Sequence, residues 1–344
     1  MKASRLPGYH LAWCGVFLAL LVIALGAYTR LVDAGLGCPD WPGCYGHLLW
    51  PNSPEEIASA NQVWPDTPVN NDRTWPEMVH RYAAAFLGLL VLASAALAVR
   101  WRREPGYPVG LALGLLALVV CQALFGMWTV TLKLWPQVVA LHLLGGFATL
   151  ALLWLLVLRL RRSAPSLSFL SARALRPVRL AALLALLVVI AQAALGGWTT
   201  ANYAALACPD LPRCQGEWWP QADFRAGFNL RQRVGPNYLG GQLEHSARVA
   251  IHLAHRAGAL LTLVFLAGLA LALWRRAPLR RAACLLMAIL LLQFTLGLSN
   301  VWFDFPLAVA VAHNLGGALL LLAMISINYL LFASVEQGRP TARQ

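Results

Sequence analysis

Eight stretches of this chain are apolar for long enough to cross the roughly 30 Å hydrocarbon layer of a bilayer. They fall at residues 11–32, 77–99, 106–129, 136–158, 178–200, 248–274, 281–302 and 307–332. Lipid offers backbone amides no water to bond, so runs of this length are predicted to be helices. That feature alone excludes an ordinary soluble enzyme. Composition agrees, with 59% of 344 residues hydrophobic and 12% charged, where soluble domains carry about a quarter charged. The expected fold is an all-α integral membrane protein with eight transmembrane helices. The first run is longer than the apolar segment of a cleaved leader and no small-residue cleavage site follows it, so it reads as a retained helix.

A net charge of +13 raises nucleic-acid binding as a function. The basic residues argue against it, because they flank the apolar runs instead of sharing one polar surface. Lys2, Arg5, Arg100, Arg102, Arg103, Arg159, Arg161, Arg162, Arg173, Arg176, Arg179, Arg275, Arg276, Arg280, Arg281, Arg339 and Arg343 fall on one side, with only Glu104 and Glu336 as acids. By the positive-inside rule that side is cytoplasmic, and so are both termini. The long loops 33–76 and 201–247 then lie outside. So do ten tryptophans (Trp41, Trp50, Trp64, Trp75, Trp128, Trp135, Trp198, Trp218, Trp219 and Trp302), as expected of an interfacial belt and loops packed on it.

The two halves repeat each other. Cys38-Pro-Asp-x-Pro-x-Cys44-x-Gly recurs from Cys208 to Gly216, 170 residues on. His80-Arg81 matches His255-Arg256, the His142-x-Leu-Gly-Gly segment matches that at His313, and Gln122-x-x-x-Gly126 matches Gln293-x-x-x-Gly297, at offsets of 171 to 175. The expected organisation is therefore two pseudo-symmetric four-helix bundles, residues 1–165 and 166–344. Four helices is an even number, so the halves insert in the same sense, as a parallel repeat about an axis along the membrane normal. Each half carries one close cysteine pair, Cys38 with Cys44 and Cys208 with Cys214, in its long outer loop. In an oxidising compartment such pairs read as disulfide staples or as redox-active dithiols.

Four of the eight histidines stand in repeat-related places inside spans: His80 and His142, then His255 and His313. His80 lies four residues beyond Pro76 and His142 six beyond Pro136, hence about 6–9 Å below the outer end of each helix at 1.5 Å per residue. Two imidazoles at matched depth on neighbouring helices are what axial ligation of a haem from both faces requires. A buried hydrogen-bonded histidine or a proton path are the blander alternatives. Zinc and copper also take imidazoles, but neither half supplies third and fourth convergent ligands. Arg81 and Arg256 follow a ligand candidate and read either as propionate partners or as snorkelling cations. Glu77, one turn above His80, reads either as a proton-handling carboxylate or as the Glu of a Thr74-x-x-Glu77 capping box. Its counterpart in the second half is His252.

The segments GLGCPDWPGC, EMVHR, VVALHLLGG, NYAALACPDLPRCQGEWWP and LAVAVAHNLGGALLL together resemble the haem A synthase family in its proteobacterial form, from Arg30 to about residue 325. The resemblance implies oxidation of the C8 methyl of haem O to a formyl group by successive hydroxylations, giving haem A for terminal oxidases. It implies that His80 and His142 flank the substrate haem O, that His255 and His313 ligate the iron of a permanent haem b, and that Glu77 matches a residue associated with activity. HxxHR in the second half leaves His252 as a rival to His255; Arg256 and the repeat register favour His255. Haem O synthase (the protohaem farnesyltransferase) is the implied substrate donor, terminal oxidase assembly the destination, and the bacterial inner membrane with its lipid the setting; the sequence does not identify the electron donor. Two rival classes are a bis-histidine b-type cytochrome acting only in electron transfer and a haem or solute transporter. All four candidate ligands share the outer half of the bilayer, so no haem stack crosses it. The Gly-Pro interruptions lie at helix ends, unlike the broken midplane helices of transporters. No phosphate-binding loop or dinucleotide glycine motif is present.

Overall fold

The computed structural model describes residues 5–161 and 172–336. It is all-helical. Eight helices are long and apolar enough to cross a membrane: α1 (Tyr9–Leu31), α3 (Asn71–Arg100), α4 (Val109–Thr131), α5 (Pro136–Leu160), α6 (Ala172–Ala201), α8 (His245–Trp274), α9 (Arg280–Trp302) and α10 (Leu307–Glu336). This is a multi-pass membrane protein. Two short helices, α2 (Pro54–Val63) and α7 (Phe224–Gly227), sit in the long loops. The expected half boundary at 165/166, with Lys2, Arg162, Arg339 and Arg343, lies outside the described residues.

The observed spans match those read from hydropathy to within a few residues, except that α3 and α6 each begin six residues early. Pro76 does not open this helix. Asn70 caps it, its side chain accepting the Asp72 N–H at 3.0 Å. The proline is tolerated in the second turn because the carbonyl it leaves without a partner, at Asp72, is at the exposed helix end. The Thr74–Glu77 capping box is therefore wrong: Thr74 is fully buried inside the helix and donates to the Asn71 carbonyl at 3.3 Å. A true capping box opens α2 instead, between Ser53 and Glu56, at 3.2 Å in each direction.

Within the first half, α1 packs on α3 and α5, and α4 on α3 and α5; within the second, α6 packs on α8 and α10, and α9 on α8 and α10. Contacts between α1 and α10, α5 and α6, and α5 and α10 join the two sets. One continuous apolar core runs through both, from Leu6, Val16 and Leu153 to Leu266, Leu286 and Leu331, and fills the end of the molecule away from the long loops. Smaller clusters lie at the loop end, around Cys38, Cys44, Tyr45 and Met78 in one loop and around Cys208, Cys214 and Val249 in the other. The belt of tryptophans divides accordingly. Trp41, Trp75, Trp128, Trp218, Trp219 and Trp302 are exposed, whereas Trp50 and Trp64 pack into the first loop cluster. Trp198 is buried, donating to the Gly227 carbonyl at 2.8 Å, because its loop folds back over it.

Candidate functional site

Each long loop is a compact cap built from the repeated cysteine motif. Cys38–Cys44 and Cys208–Cys214 are disulfide-bonded. In the first loop Asp40 accepts the N–H groups of Tyr45 at 2.6 Å and Gly46 at 2.8 Å; in the second Asp210 accepts those of Gln215 at 2.5 Å and Gly216 at 2.9 Å. The Gly216 N–H, seconded by that of Gln215, holds the Asp210 carboxyl below its ordinary value. An arginine from the helix beneath ties each cap down. Arg81 donates to the carbonyls of Asp40, Pro42 and Gly43, the last at 2.7 Å, and Arg256 donates to Cys208 at 2.7 Å and Arg213 at 2.9 Å.

Beneath the first cap Arg81 also pairs with Glu77. The Glu77 side chain is almost completely buried, and its second oxygen accepts the Cys38 N–H at 3.0 Å. The carboxylate is thus fixed between the disulfide loop and the histidine level, one helical turn from His80. Gly37, at the mouth of this loop, passes so close to the Arg73 carbonyl that no side chain fits there. In the second half the same helical position holds His252, equally buried, whose Nδ1 lies 3.0 Å from the Ala204 carbonyl.

The four candidate ligands stand one level lower. The His80 and His142 rings, from α3 and α5, lie 6.5 Å apart between centroids with their planes perpendicular. His255 and His313, from α8 and α10, are close enough to interact electrostatically. Each ring points at a glycine on the long helix that precedes its own in the chain: His80 at Gly26, His142 at Gly126, His255 at Gly196 and His313 at Gly297. A Cβ on any of these glycines would stand 2.8 to 3.4 Å from the ring's Cε1. The close approach of the helices at this depth therefore depends most on Gly26, then on Gly297 and Gly196, and least on Gly126. These contacts were not legible from the motifs, which give depth along a helix but not which helix lies alongside; the repeated Gln-x-x-x-Gly was the available signal. The remaining histidines lie elsewhere: His10 near Arg5, His47 in the first cap, His245 against Gln215.

Paired imidazoles suit an iron held from both sides. At a nitrogen–metal distance of about 2 Å per ring, centroids just over 6 Å apart are what two opposed ligands need. The rings are only partly buried, while the Nδ1 atoms of His80, His142 and His313 are sealed from solvent without a partner. Among the described residues no three histidine, cysteine or carboxylate side chains converge, so a closed zinc-type site is not built.

Fold and site together define a class: a polytopic helical membrane protein with one imidazole pair beneath each of two disulfide caps. The chain belongs to the COX15-CtaA family, the cytochrome oxidase assembly proteins, whose sequence profile matches residues 9–325. It is 47% identical over 313 residues to the haem A synthase of Shewanella oneidensis, covering 91% of this chain and 93% of that one. The haem A synthases of Paracoccus denitrificans and a Caulobacter species are 29% and 28% identical, over 87% and 88% of this chain and 81% and 90% of theirs.

Proposed function

We propose that this protein is a haem A synthase, an oxidoreductase that converts the C8 methyl of haem O to a formyl group by successive hydroxylations and so supports cytochrome oxidase assembly. The observation that carries the reading is the imidazole pair of the first half with a sealed carboxylate one turn above it. His80 and His142 would hold haem O, the substrate. His255 and His313 would hold haem b, which when bound supplies one-electron transfer. His255 is favoured over His252 because it repeats the glycine contact of His80, while His252 repeats the place of Glu77 under the loop.

The chain's own residues orient and protect. The caps exclude water from the outer edge of each site, and Arg81 and Arg256 hold those caps and bring positive charge that would suit haem propionates. Glu77, fixed by Arg81 and the Cys38 N–H, would accept or return protons during oxidation of the methyl group. A duplicated architecture of residues 1–165 and 166–344 is supported by the seam. Arg30 donates to the Thr200 carbonyl, Tyr203 to Asp33, and Tyr329 to the Leu158 carbonyl, and each pair is separated by 170 or 171 residues, the repeat offset itself. Equivalent residues touch only near a pseudo-twofold axis. With the basic residues on the opposite side, this reading puts both termini in the cytoplasm of a bacterium and the caps outside its inner membrane. Haem O synthase is the proposed source of substrate.

The test is chromatography of the haems extracted from purified wild type, His80→Ala and His255→Ala proteins made beside a haem O source. The wild type is expected to carry haem b together with haem O or A, His80→Ala to lose the second kind, and His255→Ala to lose haem b. A wild type carrying haem b alone would leave an electron carrier and overturn the synthase.

A further inference from the structure

Four helix pairs carry the same local device, and one of them lacks a part. On three helices a glutamine lies one turn from the glycine that abuts a ligand ring: Gln122 before Gly126, Gln192 before Gly196, Gln293 before Gly297. Each glutamine amide fills the space over a second glycine, three residues beyond the histidine, at Gly145, Gly258 and Gly316, where a Cβ would collide with it. Gln192 stands 3.1 Å from His255 Nδ1, and its Nε2 donates to the His255 carbonyl at the same distance. In the other two pairs a buried acceptor without a partner, Gln122 Oε1 or Gln293 Oε1, shares the helix interface with a buried Nδ1 without a partner, that of His142 or His313. Gln192 Oε1 is free as well. When an imidazole binds iron through Nε2, its Nδ1 carries the proton and needs an acceptor. At His255 a turn of the Gln192 amide, whose Nε2 faces Nδ1, supplies one, and Gln122 and Gln293, seated over Gly145 and Gly316 one turn beyond His142 and His313, repeat its position.

The fourth pair is different. On α1 the glutamine position is Val22, four residues before Gly26, and on α3 the small residue after the histidine is Ala83. His80 Nδ1 is buried and meets only the Val22 main-chain carbonyl, much as His313 meets that of Gln293, but α1 carries no side-chain amide at this place.

Resting on the haem-ligand reading above, we infer that Gln122, Gln192 and Gln293 are positioning residues that hold three of the four axial imidazoles, and that His80, lacking one, is the ligand that releases when haem O enters and haem A leaves. A permanent haem needs two anchored ligands, and His255 and His313 both have a glutamine. A substrate haem must be exchanged, and it would sit between one ligand with a glutamine beside it, His142, and one with only a main-chain carbonyl, His80. Partners of this kind change metal affinity by about 10- to 100-fold.

The experiment uses purified full-length protein with its bound haems, reading the haem b midpoint potential and the rate at which first-site haem transfers to added apomyoglobin. An acceptor on Nδ1–H makes imidazole a stronger donor and favours ferric iron. Gln192→Glu is therefore expected to lower the haem b potential and Gln192→Leu to raise it, opposite shifts that a packing role does not produce. Installing the missing part with Val22→Gln and Ala83→Gly is expected to slow first-site transfer about tenfold or more, and Gln122→Leu to speed it. Potentials that move together or not at all, or transfer rates unchanged in both first-half variants, would overturn the inference while leaving the synthase reading intact. A wild type without haem would sink both.

Discussion

Glu77 shows how one side chain acquires a role from its surroundings. At the surface of α3 it would be a first-turn carboxylate of no consequence. Because α3 starts at Asn71, it lies in the second turn, under the Cys38–Cys44 loop, with one oxygen on the Cys38 N–H and the other on Arg81. A buried charge held this way keeps its position and its ability to exchange a proton with a neighbour. Glu77→Gln retains the shape and much of the hydrogen bonding but not the proton chemistry. It is expected to leave both haems bound while haem A formation falls by about 10²- to 10⁴-fold, the usual contribution of a general acid–base group, with haem O accumulating in pigment extracts. An unchanged haem A yield would reduce Glu77 to an anchor for the loop. Arg81→Met gives a separate readout. It releases three loop carbonyls as well as Glu77, so the first cap is expected to become sensitive to external protease, which Glu77→Gln leaves resistant.

At the scale of helices and loops, the close approach of α1 to α3 is set by Gly26, where a Cβ would stand 2.8 Å from His80 Cε1. Gly26→Ala is expected to displace the His80 ring and lower first-site haem content without changing haem b. The same change at Gly126, with 3.4 Å available, is expected to be milder; the ratio of the two haems in purified protein measures both. Each disulfide closes a seven-residue loop and on the chain-entropy model contributes about 2 kcal/mol. The consequences differ by half. Cys38→Ser with Cys44→Ser also loosens the N–H that holds Glu77, so haem A formation is expected to fall along with thermal stability. Cys208→Ser with Cys214→Ser loosens a loop with no carboxylate beneath it, and is expected to cost mainly stability. The long elements were legible because each must stay apolar over its whole span, which composition records directly. The start of α3 was not legible, because Trp75-Pro76 resembles a helix opening and the true cap, Asn70, lies among polar loop residues. The helix α2 was legible from Ser53-Pro-Glu-Glu56, a capping signature in a segment otherwise read only as loop. The histidines could be found from spacing alone. The glycines and glutamines that frame them could not, since their part depends on which helices are neighbours.

For the whole molecule, the proposed duplication implies two sites that look alike and differ near the candidate ligands. Glu77 is answered by His252, Val22 by Gln192, and Ala83 by Gly258. The halves do not stand apart. Their apolar cores are continuous, Trp154 donates to Ser326 at 2.8 Å, Arg30 lies over the Tyr203 ring at 3.7 Å, and the second long loop reaches the first half, where Trp135 donates to the Gln232 carbonyl at 3.2 Å and Gln137 to that of Leu230 at 3.0 Å. The helices α5 and α10, which carry His142 and His313, are in direct contact. On the proposed reading, electrons passing from haem b to the substrate haem would move across this seam, within the membrane plane. Lipid solvates an apolar helix face as well as protein does, so a separated half loses little by exposing its side of the seam. Residues 166–344 expressed alone, with both His255 and His313 present, are expected to retain haem b. Residues 1–165 alone keep His80, His142 and Glu77 but have no electron source beside them, and are expected to form no haem A. Co-expressed, the two pieces are expected to copurify and restore haem A formation in pigment extracts. Activity from the first piece alone would show that the second haem is not on the electron path, and the purpose of the duplication would have to be sought elsewhere.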